Sequence, residues 1–109
     1  MPTTYKVLGQ AKPTAATATN LYTVPASTQA VVSTLNVSNL TNDLTTVRIA
    51  VRPAGAALED KHYLLYNNTI SGYATAQFTI GMTLATTDVV TVYDTAGKCA
   101  FNLFGSEIS

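Results

Sequence analysis

Thr46-Val47-Arg48-Ile49-Ala50-Val51-Arg52-Pro53-Ala54-Gly55 is the stretch whose period decides the fold. Val47, Ile49 and Val51 fall on one side of an extended chain, and Arg48, Ala50 and Arg52 fall on the other. That two-residue repeat belongs to a strand with one buried face and one face that is wet or held by a partner. Pro53 has no N–H to give a central ladder, and Ala54-Gly55 offers a turn, so the strand stops there.

Similar segments lie on either side. Toward the N-terminus, Asn20 to Val24 reads as a strand ended by Pro25-Ala26-Ser27. Gln29 to Ser38 reads as another, with Val31, Leu35 and Val37 on one face and Val32, Thr34 and Asn36 on the other; Asn39 to Thr45 is a polar turn. Toward the C-terminus, residues 56–61 form a loop or a single helical turn. His62-Tyr63-Leu64-Leu65-Tyr66 is apolar on both faces and is expected to be covered on both, while Asn67-Asn68 and Ser71-Gly72 signal turns. Ala76, Phe78, Ile80, Met82 and Leu84 then alternate with polar or small residues, with a bend expected at Gly81. Asp88 to Tyr93 is a strand, Asp94 to Gly97 its hairpin turn, and Cys99 to Phe104 the last strand. About eight short strands without a helical period define an all-β sandwich or barrel. Val47, Ile49, Val51, Phe78, Ile80, Val90 and Val92 are expected to share its core.

The N-terminus reads differently. Tyr5 to Gln10 forms a short strand, but Ala11 to Thr19 carries only small side chains apart from Lys12 and Pro13 and cannot bury enough area to fix itself. Tyr5, Val7 and Leu8 form an apolar patch that is unfavourable in water. Residues 1–19 are therefore expected to be an arm that adds to an exposed edge of a neighbouring copy, the alternative being a strand at Tyr5 to Gln10 that pairs within its own sheet, and residues 20–109 the sandwich domain.

With 109 residues the chain builds one core. Hydrophobic residues make up 47% and charged residues only 11%, against about a quarter in ordinary soluble chains. A surface of neutral polar groups suits a protein packed among many copies. The formal net charge is zero, so nucleic acid and anionic membrane are not expected as partners. The start of the chain lacks the basic head and apolar run of a signal peptide, and no apolar stretch approaches the ~18 residues of a membrane span. The single cysteine, Cys99, fits a reducing compartment and reads as a small buried hydrophobe.

Candidates for chemistry are few. His62 is the one histidine and stands among apolar residues, where a hydrogen-bonded structural role is expected over a catalytic one. Asp43, Glu59, Asp60, Asp88, Asp94 and Glu107 fall in turns and in the tail, where carboxylates serve local backbone N–H groups; Asp88 and Asp94 bracket one strand and are the candidate cation pair. One histidine and one cysteine are too few for a zinc site. No phosphate loop is present, and neither an enzymatic activity nor a cofactor is expected. Three N-x-S/T triplets, at Asn36, Asn39 and Asn67, are expected by chance in a chain rich in Asn and Thr. Tyr5, Val7, Leu8, Arg48 and Arg52 are the candidates for partner contact, the two arginines sharing the outward face of their strand.

Leu21-Tyr22-Thr23-Val24-Pro25-Ala26, Val31 to Asn39, Arg48 to Gly55, Lys61-His62-Tyr63, Leu84 to Tyr93 and Phe101 to Glu107 cover most of the chain. In wording and order they resemble small virion structural proteins of tailed bacteriophages. The resemblance implies a β-sandwich, immunoglobulin-like or jelly-roll-like, present in many copies per virion and without enzymatic residues. The expected role is capsid decoration or cement, with the major capsid protein, other virion proteins and copies of itself as partners, made in the host cytoplasm and located in the virion. The alternative is a tail-associated or fibre-like attachment module that binds the host surface.

Overall fold

A computed structural model describes residues 2–79 and 81–109; Ile80, expected in the core, lies outside them. Among the described residues the alternating, β-branched segments become nine strands: β1 (Thr3–Ala11), β2 (Thr19–Thr23), β3 (Gln29–Asn39), β4 (Thr45–Arg52), β5 (Tyr63–Ile70), β6 (Thr75–Phe78), β7 (Thr83–Leu84), β8 (Val89–Asp94) and β9 (Cys99–Ile108). Two single 3-10 turns, Pro53–Gly55 and Asp60–His62, separate β4 from β5. The first sheet runs β1-β9-β3-β6, with β7 also on β3, and the second runs β2-β8-β4-β5. Every pairing is antiparallel. The two sheets form an all-β sandwich.

β4 holds the position that its sequence implies, an inner strand of the second sheet between β8 and β5. Val47 and Ile49, with Val90 and Val92 of β8, meet Leu35, Val37, Phe101 and Leu103 of the first sheet, all fully buried. Val51 and Phe78, also expected inside, are partly buried and pack against the margin of this cluster. Asp94 to Gly97 is not a hairpin turn, because β8 and β9 lie in different sheets. Its organiser is the fully buried Asp94 carboxylate, which accepts from the Thr45 hydroxyl at 2.5 Å and from the N–H groups of Ala96, Lys98 and Cys99 at 3.1, 2.8 and 2.7 Å. Those donors fold the chain from one sheet to the other.

The first sheet contains two bulges at one level. Val7 pairs with Phe104 and Gly9 with Leu103, leaving Leu8 over; Val32 pairs with Gly105 and Thr34 with Phe104, leaving Ser33 over. Gly105 borders the second of them, and a Cβ there would overlap the Val31 carbonyl oxygen and press Leu8 Cδ1 at 3.1 Å. The extra residue at Ser33 reverses the parity of β3, so Ala30 and Val32 point inward before it and Leu35 and Val37 after it. Val31, expected on one face with Leu35 and Val37, is therefore on the opposite face and exposed.

The N-terminal segment is not an arm. β1 pairs with β9 along its length, from Thr3 opposite Ile108 to Ala11 opposite Phe101. The small-residue stretch after it is held by hydrogen bonds and by the buried Pro13: Ala16 N–H donates to the Asp94 carbonyl at 2.9 Å and Lys12 Nζ to that of Gly97 at 2.9 Å. Small side chains let residues 12–18 lie directly on the 94–97 turn, where Ala15 meets Gly97. β5 also departs from expectation. It is an edge strand with Leu64 and Tyr66 exposed, and Asn67, expected in a turn, lies within it at φ +54°.

Two outcomes follow for stability. Gly105→Ala forces its methyl into a backbone carbonyl and should cost about 3 kcal/mol, read as a fall in melting temperature of roughly 10 °C or more; a change of a degree or two would show that β3 yields there. Burial alone would raise the Asp94 pKa, but the Thr45 hydroxyl and the Cys99, Ala96 and Lys98 N–H groups outweigh it and hold the carboxyl below its ordinary value. A depressed folded-state pKa stabilises above the unfolded value near ~4 and is lost as pH falls through the folded one. Stability should therefore drop below pH ~4, and Asp94→Asn, whose amide nitrogen would face N–H donors, should flatten that slope while losing about 2–3 kcal/mol at neutral pH. Parallel pH profiles of the two proteins in chemical denaturation would contradict this.

Candidate functional site

The sandwich presents two outer faces with different chemistry. On the first sheet, Tyr5 stands opposite Ser106, which in turn stands opposite Val31, and Val7 stands opposite Phe104. These four large side chains are exposed, Tyr5 at 83%. The strand bearing Tyr5 and Val7 is also the sheet's edge. Leu8, expected with them, is the extra residue of the β1 bulge and turns into the core instead. Val31 and Phe104 complete the patch, and the parity change at Ser33 hides Val31 from a reading of the sequence. At one end of this face Glu107 clasps the two sheets, accepting from Tyr22 Oη at 2.5 Å and pairing with Lys6 Nζ at 3.2 Å. The Tyr22 hydrogen bond, opposed by burial and aided by Lys6, holds the Glu107 carboxyl below its usual range. Burial, reinforced by Glu107, pushes the Tyr22 phenol up.

On the second sheet the arginines of β4 are engaged within the chain. Arg52 donates from Nη2 to Asn20 Oδ1 at 2.8 Å, from Nε to Thr91 Oγ1 at 3.0 Å and from Nη1 to the Ala56 carbonyl at 3.0 Å. The Arg48 guanidinium lies 4.3 Å from the ring centres of both Tyr66 and Tyr93, and its Nε donates to Asn67 Oδ1 at 2.7 Å. Ala50, expected outward between them, is buried, set between Thr91 and Tyr63 in the sheet register.

Tyr63 and Tyr66 are three residues apart, a spacing that puts side chains on opposite faces of a regular strand. Register shifts against β4 and the positive φ of Asn67 bring them together, with ring centres 4.9 Å apart at 84°. With Asp60 they line an open groove of about 380 Å³. A neighbouring groove of about 470 Å³ is lined by residues that include Val51, Pro53, His62 and Leu64.

The residues singled out for chemistry are held in local structure. His62 is buried and its Nδ1 accepts the Glu59 N–H at 3.1 Å, capping the turn before β5. Asp88 accepts from the N–H groups of Ala54 and Ala85 at 2.9 Å each, at the opposite end of β8 from Asp94, so the two acids share no ion. Cys99 is buried, and burial together with Asp94 pushes its thiol up to about 12, which keeps it protonated. Asn39 is buried with its amide nitrogen donating to the carbonyls of Asp43, Ile70 and Ser71, so that triplet is part of the fold. Among the described residues, no group of three or more His, Cys, Asp or Glu side chains converges, and no helix is long and apolar enough to cross a membrane. No protein-family model and no curated protein matches the chain.

The stacked arginine has a measurable weight. Arg48→Lys replaces a plane that serves two rings and a fixed amide with a flexible point charge, and should cost about 1–2 kcal/mol in chemical denaturation; no loss would mean that the stack is ornamental to stability.

Proposed function

We propose that this protein is a non-enzymatic structural subunit of a bacteriophage virion, a decoration or cement protein that strengthens the shell through repeated protein contacts. The observation that carries the reading is the first sheet's outer face, where Tyr5, Val7, Val31 and Phe104 stand exposed beside the edge strand. A patch of this kind gains association free energy at roughly 25 cal/mol per Å² of apolar area covered, before the entropic cost of docking. Repetition over a lattice multiplies a weak contact into a strong one. The engagement of His62, Asp88, Asp94 and Cys99 in the fold supports a role without covalent chemistry. The resemblance in sequence order to small virion proteins supplies the particle, the partners and the location.

A second reading is favoured by a specific observation: on the other sheet Tyr66 and Tyr93 pack on Arg48, and Tyr63 meets Tyr66 edge-on. An exposed ring, Tyr66, held by a packed cation and flanked by two half-buried rings suits a tail-associated attachment module that binds the host surface.

Quantitative mass spectrometry of purified virions separates the two. A shell protein is present in hundreds of copies, a tail module in about a dozen or fewer, and absence from washed particles overturns both. Tyr5→Asp with Val7→Asp should leave the melting temperature nearly unchanged and abolish incorporation; normal incorporation of this double variant would remove the first sheet's face from the account.

A further inference from the structure

Tyr5 and Tyr73 are exposed without any ring or cation against them among the described residues, whereas Tyr66 is 56% exposed and yet fixed. One contact on its ring is the Arg48 guanidinium, itself anchored to Asn67 and to Tyr93, and another is Tyr63 in an edge-on pair. A ring held this way loses little freedom on binding, which is the condition under which an exposed aromatic contributes most. Beside the pair stands Asp60, whose carboxylate makes no hydrogen bond or ion pair among the described residues while it lines the same groove. The groove's volume, about 380 Å³, falls in the range of small-ligand sites.

The charge around the groove selects among ligands. Arg48 lies against Tyr66, so a second cation there would meet like charge across the ring, and an anion would meet Asp60. Glu59 and Lys61 sit 4.0 Å apart and balance each other. A neutral molecule with an apolar C–H face for the tyrosines and paired hydroxyls for the carboxylate meets neither penalty. We propose that the groove formed by Asp60, Tyr63 and Tyr66 binds a neutral saccharide, one sugar ring lying on the tyrosine corner and two of its hydroxyls donating to Asp60. The proposal deepens the attachment reading and rests on it; it is independent of the assembly face, which belongs to the other sheet.

The test is an amide NMR titration of the full chain with maltose, cellobiose and N,N′-diacetylchitobiose, and with Nα-acetyl-lysine amide as the cationic probe. At least one disaccharide should produce saturable shifts confined to residues 60–67 and Arg48, with a Kd of about 1 mM. Asp60→Asn, which removes no hydrogen bond of the fold, and Tyr66→Ala should each weaken binding about tenfold or more, and Tyr73→Ala should leave it unchanged. No saturation by any of the three sugars, saturation by the lysine amide instead, or unaltered sugar binding in Asp60→Asn would overturn the proposal. Such a failure would leave particle incorporation through Tyr5 and Val7 as it stands.

Discussion

The first sheet depends on one residue without a side chain. β9 lies between β1 and β3, and both neighbours carry an extra residue beside its Phe104, Ser33 on the Gly105 side and Leu8 on the Leu103 side. Two bulges facing a common strand crowd the backbone, and glycine is what the strand can place at position 105. The consequences spread outward. The bulge in β1 sends Leu8 inward while leaving Tyr5 and Val7 outside, and the bulge in β3 exposes Val31 while burying Val32. The apolar outer patch is thus a product of the same defect that completes the core.

The second sheet solves a different problem. A chain with 11% charged residues has few ions to keep its surface wet, and it spends two of them, Arg48 and Arg52, on its own sheet face. Their planes serve tyrosine rings, amides and carbonyls, so the face is ordered rather than merely solvated. Asp94 does the corresponding work at the sheet crossover, where backbone N–H groups and a hydroxyl saturate a buried carboxylate. Polar groups here organise turns and faces, while the valines, leucines and Phe101 supply the cohesion.

Much of the fold was legible because strand periodicity is local. Alternation places Val47 and Ile49 in the core, Val90 and Val92 are expected beside them, and all four are fully buried. Errors arose where a non-local partner sets the parity. Nothing around Ser33 signals a bulge until Gly105 is known to lie beside it, and nothing in Tyr63-Leu64-Leu65-Tyr66 shows that register shifts against β4 put both rings on one face. The hold on Ala11 to Thr19 comes from contact with residues 94–97, which are remote in sequence, and small side chains carry no local sign of it. Hairpin and inter-sheet crossover share the same turn residues, so Asp94 to Gly97 could be placed only by its partners. Of the contact candidates, Tyr5 and Val7 share a face, Leu8 leaves it, and Arg48 and Arg52 lie on the opposite sheet. The aromatic groove was invisible because it is made by irregular register.

An electron cryomicroscopy reconstruction of the virion at side-chain resolution tests the central claim most directly. The account predicts this chain repeated over the shell, with Tyr5, Val7, Val31 and Phe104 covered by a neighbouring subunit and the Tyr66 face turned outward. A particle in which that patch faces solvent, or whose ordered shell holds no copy of the chain, would contradict it.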